Sequence, residues 1–251
     1  ESPGIVAATR QAGGGRLDPA GLAALCWQVP ASMRVLTGLP RADRWPELRP
    51  AAMAAVLGAA RSLADFAVVD LAFCLETDEE LSFDTLAPRR NGATLAALDD
   101  ADLILAVGAG DAAGVPRLVR ALDELRDAQI DAPVWIVLNK VRGSAAHGRA
   151  AAQLTEALER FAGQPPAALL PLDAAAWDAA ALAGRSLRES DARSPLRLAM
   201  ADLARAVSGR EPASGSDGGR AIFGRGAIFG RGAVPGRLAG RGRAPRGARG
   251  R

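Results

Sequence analysis

The sequence predicts an α/β fold built on a doubly wound, mostly parallel sheet in three layers. Three observations lead there. Short continuous apolar runs recur along the chain, segments with one-faced helical spacing lie between them, and the two kinds alternate from about residue 33 to 207. Continuous apolar runs mark strands covered on both faces, and strict strand–helix alternation calls for crossover connections that leave successive strands parallel.

The candidate strands are "MRVLTGL" (33–39), "FAVVD" (66–70), "LILAVG" (103–108), "VWIVLN" (134–139) and "ALLPL" (168–172). Between them, Met53, Val56, Leu57, Ala60 and Leu63 share one helix face. So do Val115, Leu118, Val119, Leu122 and Leu125, and, further on, Ala150, Leu154, Leu158 and Phe161. A last helix runs through Leu196, Met200, Leu203 and Val207, with Ser194 placed to cap it. Pro50, Pro116 and Pro195 fall where a first-turn proline is tolerated.

A chain of 251 residues that is 49% hydrophobic can bury a substantial core, and it fits one domain with an appendage. It begins at Glu1, and "ESPGIVAATR" has neither the basic and apolar regions of a signal peptide nor the character of a targeting helix. The sequence therefore reads as clipped ahead of Glu1. Cys26 and Cys74 are too few for a disulfide framework and lack zinc-site spacing, so both are expected as reduced core residues. Lys140 is the only lysine, which confines any lysine-dependent chemistry to that position.

The net charge of +3 conceals a split. Residues 1–208 are expected to form the folded domain, and 209–251 a disordered Arg/Gly-rich tail. From residue 210 on, ten arginines face only Glu211 and Asp217, and "AIFGRG" repeats in tandem, so the rest of the chain is net acidic. Glycine at this density does not recover its backbone entropy by burial. The tail fits three roles: non-specific contact with nucleic acid, contact with an anionic membrane surface, or a solvating appendage. Binding of either of the first two kinds is expected to fall steeply as salt rises.

Ligands in open parallel sheets bind beyond the carboxyl ends of the strands. "FAVVD" ends on Asp70, which suits a magnesium-side carboxylate and equally a strand-end cap. "LILAVGAGDAAG" ends in Gly108, Gly110 and Gly114, one residue away from a dinucleotide fingerprint; a packed glycine turn with Asp111 at a helix N-terminus accounts for it as well. "VWIVLNKVRG" ends in Asn139, Lys140 and Arg142, either a purine-reading amide with neighbouring bases or a solvated basic loop. The acidic run Glu76, Asp78, Glu79, Glu80 and Asp84 reads as a solvated face more readily than a catalytic cluster, and the lone His147 as a surface histidine.

Taken in order, the segments "MRVLTGLPRADRWPELRP", "FAVVDLAFCLETDEELSFDTLAPRRNGATLAALDDADLILAVGAGDAAG", "VWIVLNKVR" and "LLPLDAAAWDAAALAGRSLRESDARSPLRLAMADLA" resemble the MinD/ParA family of deviant P-loop ATPases, in its CpaE-like actinobacterial branch. The resemblance spans about residues 3 to 207 and implies a P-loop NTPase-like fold. It makes Asp70 the catalytic-site carboxylate on the magnesium side, Asn139 the adenine-reading residue with Arg142 close by, and Pro171 and Asp173 the loop flanking the base. It implies ATP and Mg2+ as ligands, a homodimer around the nucleotide, and a cytoplasmic protein working at the inner face of the plasma membrane or at the nucleoid. The family's roles are in cell division and septum placement, partition, or pilus and secretion assembly.

The chain departs from that pattern. No glycine loop bearing lysine precedes Asp70, and no strand ending in Asp-x-Asp does. Residues 1–32 resemble the family's region after that strand, and "LAF" stands where many relatives have a proline-and-glycine switch. The resemblance therefore places the phosphate-binding part before Glu1 and implies unpaired backbone where the family's first strand would lie. Two other readings stay open: a non-catalytic binding module of the same fold, and a Rossmann-type oxidoreductase acting through the three glycines.

Overall fold

A run of apolar residues becomes a buried strand only when neighbouring strands take up its backbone groups and side chains cover its faces. The computed structural model describes residues 3–29, 33–72, 74–75, 90–142 and 148–209. The acidic run at 76–84, His147 and the tail from 210 on lie outside the described residues. The chain divides into two units, Glu1–Leu172 and Asp173–Arg251.

In the first unit, three strands form a parallel sheet in the order β3–β4–β5: β3 (Ile104–Ala109), β4 (Val134–Val141) and β5 (Ala168–Pro171). Helices α5 (Gly114–Asp127) and α6 (Arg149–Ala162) make the crossovers. Leu118, Leu122 and Leu125 of α5 and Leu158 and Ala162 of α6 pack in one cluster with Ile104, Ile136 and Leu138, so both helices cover the same sheet face. Arg126 ties the two helices by donating to the Ala162 carbonyl at 2.8 Å. Phe161, expected on the buried face of α6, is instead 60% exposed, with the Arg160 guanidinium 5.3 Å from its ring centre. It sits one position before the buried Ala162 and three after Leu158, at the margin of the apolar stripe.

Two differences from the expected strands share a physical cause. "FAVVD" forms no strand: Phe66 is 51% exposed, Val68 95% and Val69 41%, and no strand pairs with this stretch among the described residues. The outer edge of β3 likewise carries no strand among those residues, and its outward-alternating Leu105 and Val107 are exposed. An apolar sequence without a hydrogen-bonding neighbour has no ladder to join, whatever its propensity.

"MRVLTGL" contributes only β2 (Met33–Val35), which pairs antiparallel with β1 (Trp27–Val29), Trp27 opposite Val35. With three residues between the strands a parallel arrangement is excluded, since parallel neighbours need a crossover of a dozen or more residues. The helices α1 (Gly4–Gly13) and α2 (Pro19–Leu25) precede the hairpin, in a region the sequence pattern left unassigned. With α3 (Pro50–Leu63) and α4 (Gly92–Asp99) they build a second apolar cluster around Val6, Leu22, Met53 and Val56. Leu71, just after the Asp70 stretch, is packed against both clusters. Both cysteines are half-buried free thiols, and burial pushes the Cys26 thiol up.

The second unit holds α7 (Ala174–Leu182), the single turn α8 (Leu187–Ser190) and α9 (Pro195–Ser208). Ser186 and Glu189 form a reciprocal capping box at the start of α8, and Ser194 caps α9 as expected, accepting from the Arg197 amide at 3.3 Å. Of the expected α9 face, Leu196 is buried, whereas Met200 is 43% exposed. No helix among the described residues is long and apolar enough to cross a membrane.

Gly108 shows how closely β3 meets α5. A Cβ there would stand 2.8 Å from Leu118 Cδ2 and 2.9 Å from its Cβ, closer than real contacts allow. We expect Gly108→Val to lower unfolding free energy by roughly 1–3 kcal/mol, as overpacked cores do, measured by urea denaturation; an unchanged midpoint would contradict this packing.

Candidate functional site

The carboxyl ends of β3, β4 and β5 form the rim on which the candidate residues can be placed. At the end of β3, Gly110 donates its amide to the Asn139 carbonyl at 2.7 Å, extending the ladder one step beyond the strand. The register of β4 then shifts between Leu138 and Val141. Lys140 takes up the extra length with φ +56°, a left-handed conformation uncommon outside glycine and asparagine. Beyond this bulge, Val141 returns fully buried opposite Pro171, and its carbonyl accepts from the Leu172 amide at 2.7 Å.

The bulge fixes the Asn139 side chain. Its Oδ1 accepts from the Lys140 amide at 2.7 Å, while its amide nitrogen has no partner among the described residues. The half-buried Asn139 thus presents a donor whose orientation the backbone has set. Arg142 is exposed one residue past the strand and near enough to Asp111 to act on its charge. The fold therefore brings Asn139, Arg142 and Pro171 to one edge of the sheet.

Asp70 and Asp173 differ in their surroundings. Asp70 is exposed, on a stretch that joins no strand, and makes no hydrogen bond or ion pair with a described residue. Asp173 opens the second unit with both oxygens engaged: Oδ1 accepts from the Ala176 amide at 3.2 Å, and Oδ2 accepts from the Ser194 hydroxyl at 2.7 Å. It holds the N-termini of α7 and α9 together. No group of three or more metal-ligating side chains occurs among the described residues.

The glycine-rich turn is accounted for by packing. A Cβ on Gly110 would lie 2.5 Å from Val141 Cγ2, and one on Gly114 only 2.2 Å from the Ala109 carbonyl oxygen. Asp111 occupies the start of α5: its carboxylate accepts from the amides of Gly114 at 2.7 Å and Ala113 at 3.0 Å. The donors that a pyrophosphate would use at this helix end are thus already taken.

Sequence reasoning missed the Lys140 bulge, which no local signal announces, and the Asp173–Ser194 bond, which joins residues 21 positions apart. It also missed the Ser186–Glu189 capping box, although "SLRE", with serine and glutamate three apart, carries that signal.

No family model and no curated protein sequence matches the chain. Among solved structures, the crystal structure of a ParA family ATPase from Chlorobium tepidum TLS is similar over 81% of this chain and 74% of that one, with a TM-score of 0.63 and 18% sequence identity. The chain thus has an α/β, P-loop NTPase-like fold of the ParA/MinD kind.

The Asp111 cap has a pH signature. Hydrogen bonds from Gly114 and then Ala113 hold its carboxyl below the usual carboxylate value, helped by Arg142 and Arg117. A depressed folded-state value means that the stabilisation is complete above the unfolded carboxylate pKa and is lost as pH falls through the folded one. Asp111→Ala should therefore be less stable than the parent at pH 7 by denaturant unfolding, with the gap closing as pH is lowered towards 3; a gap independent of pH would refute the cap.

Proposed function

We propose that this chain is the base-recognising side of a ParA/MinD-like adenine-nucleotide site. The observation that carries this reading is the Asn139 amide, oriented by the Lys140 bulge at the carboxyl edge of the parallel sheet, with Pro171 and Arg142 on the same edge. An anchored amide donor beside a proline suits the edge and face of a purine ring. The likeness to a ParA family ATPase supports the same assignment through the fold.

The described residues fit the base and not the rest of MgATP. Asp70 has no hydrogen-bond or ion-pair partner among the described residues, the amides at the start of α5 serve Asp111, and Lys140 comes after Asp70 in the chain rather than before it. A backbone cradle and a lysine provide much of the stabilisation in phosphoryl transfer. On this reading ATP hydrolysis, the homodimer and a positioning role in division, partition or pilus and secretion assembly belong to an assembly in which Asp70 is joined by a phosphate-binding loop.

A second reading, a non-catalytic binding module of the same fold, is favoured by the isolation of Asp70. Nucleotide titration followed by amide chemical shifts separates the two. The base-site reading expects adenosine and MgATP to bind within about threefold of each other and to shift resonances at 139–142 and 171–172. Asn139→Ala should weaken both about fivefold, the loss of one neutral hydrogen bond worth about 1 kcal/mol. A thousandfold preference for MgATP would contradict a base-only site, and no binding of either ligand would favour the module.

A further inference from the structure

The second unit contains a groove of about 630 Å3 that the nucleotide reading does not use. Its floor combines Trp177 and Ala180 of α7, Leu187 of α8, and Met200 of α9. Trp177 is 55% exposed and Met200 43%, a large apolar surface to leave in water. The alanines at 201 and 204 keep α9 low on this side, which leaves room for side chains of another helix to enter between its own.

The charge around the groove has one sign. Arg185, Arg188, Arg197 and Arg205 all line it, and no carboxylate does. Arg205 is paired with Asp202. Arg185 and Arg188 act on Glu189 only at a distance, and neither they nor Arg197 form an ion pair among the described residues. Planar guanidinium groups match carboxylates through two parallel hydrogen bonds, which a solvated lysine rim would not provide.

We propose that this groove docks an acidic amphipathic helix from a partner protein. Leucine-like side chains spaced i, i+3 and i+4 would fill the channel between α7 and α9, and glutamates on the flanks would meet the arginines on either side. The concave shape favours a helix over a flat anionic membrane, which would reach the rim and leave the floor uncovered.

The test uses the full chain and a fluorescein-labelled 16-residue Leu/Glu amphipathic peptide, with its Leu/Lys counterpart of equal hydrophobicity, read by fluorescence anisotropy. The acidic peptide should bind at least tenfold more tightly than the basic one. The double variant Arg185→Glu/Arg188→Glu, at two exposed positions, should keep its helix content by circular dichroism and lose most of that preference. Because the ten tail arginines are unchanged in this variant, an undiminished preference would place binding in the tail and overturn the proposal. Ala201→Trp, which fills the floor without altering charge, should also weaken the acidic peptide at least fivefold. Equal binding of the two peptides would overturn the proposal, as would binding confined to phosphatidylglycerol vesicles.

Discussion

Strand β4 is the constraint to which the rest of the first unit answers. Ile136, Val137, Leu138 and Val141 are each at most 1% exposed, and burying side chains of this size contributes on the order of 2 kcal/mol apiece. That burial requires β3 and β5 on either side to satisfy the backbone of β4 and α5 and α6 to close over one face. Gly108 and Gly110 follow from the same demand, since α5 and Val141 approach β3 too closely for a side chain. The bulge at Lys140 is also a consequence of β4: Val141 returns to the core only if the extra residue is looped out, and the loop is what orients Asn139.

The site is accordingly uneven. Everything anchored to β4 is well placed, whereas Asp70 lies on a stretch that joins no sheet among the described residues. Exposure of Val68 and Val69 beside Asp70, in a sequence suited to burial, means that the position of this carboxylate depends on contacts absent among the described residues. Pre-organisation is what lets a site act, and among the described residues it reaches Asn139 and not Asp70. Asp173, for its part, accepts hydrogen bonds at the starts of two helices of the second unit, α7 and α9.

The parallel strands, their connecting helices and the ends of those strands were legible in the sequence because each carries a local signal: an apolar run of strand length, or a 3.6-residue stripe. What escaped was long-range. "FAVVD" has the composition of β4's "VWIVLN" but not its neighbours, and composition does not report neighbours. The β1–β2 hairpin escaped because the pattern of "MRVLTGL" is blind to whether its partner precedes or follows. Helices α1 and α2 escaped because alanine and glycine dilute their stripes, although Val6 and Leu22 are both buried. Asn139 could be singled out as a strand-end amide; the bulge that aims it could not.

The central claim is that the fold is carried by the half-sheet around β4 and that the Asp70 stretch lies outside its hydrogen-bonded ladder. Native-state amide hydrogen exchange resolves these regions residue by residue. The account predicts that the amides of Ile136, Val137 and Leu138 exchange slowest, through global unfolding, while those of Ala67 to Asp70 exchange at nearly the rate of an unstructured peptide. Protection at Ala67 to Asp70 equal to that of Ile136 would contradict it.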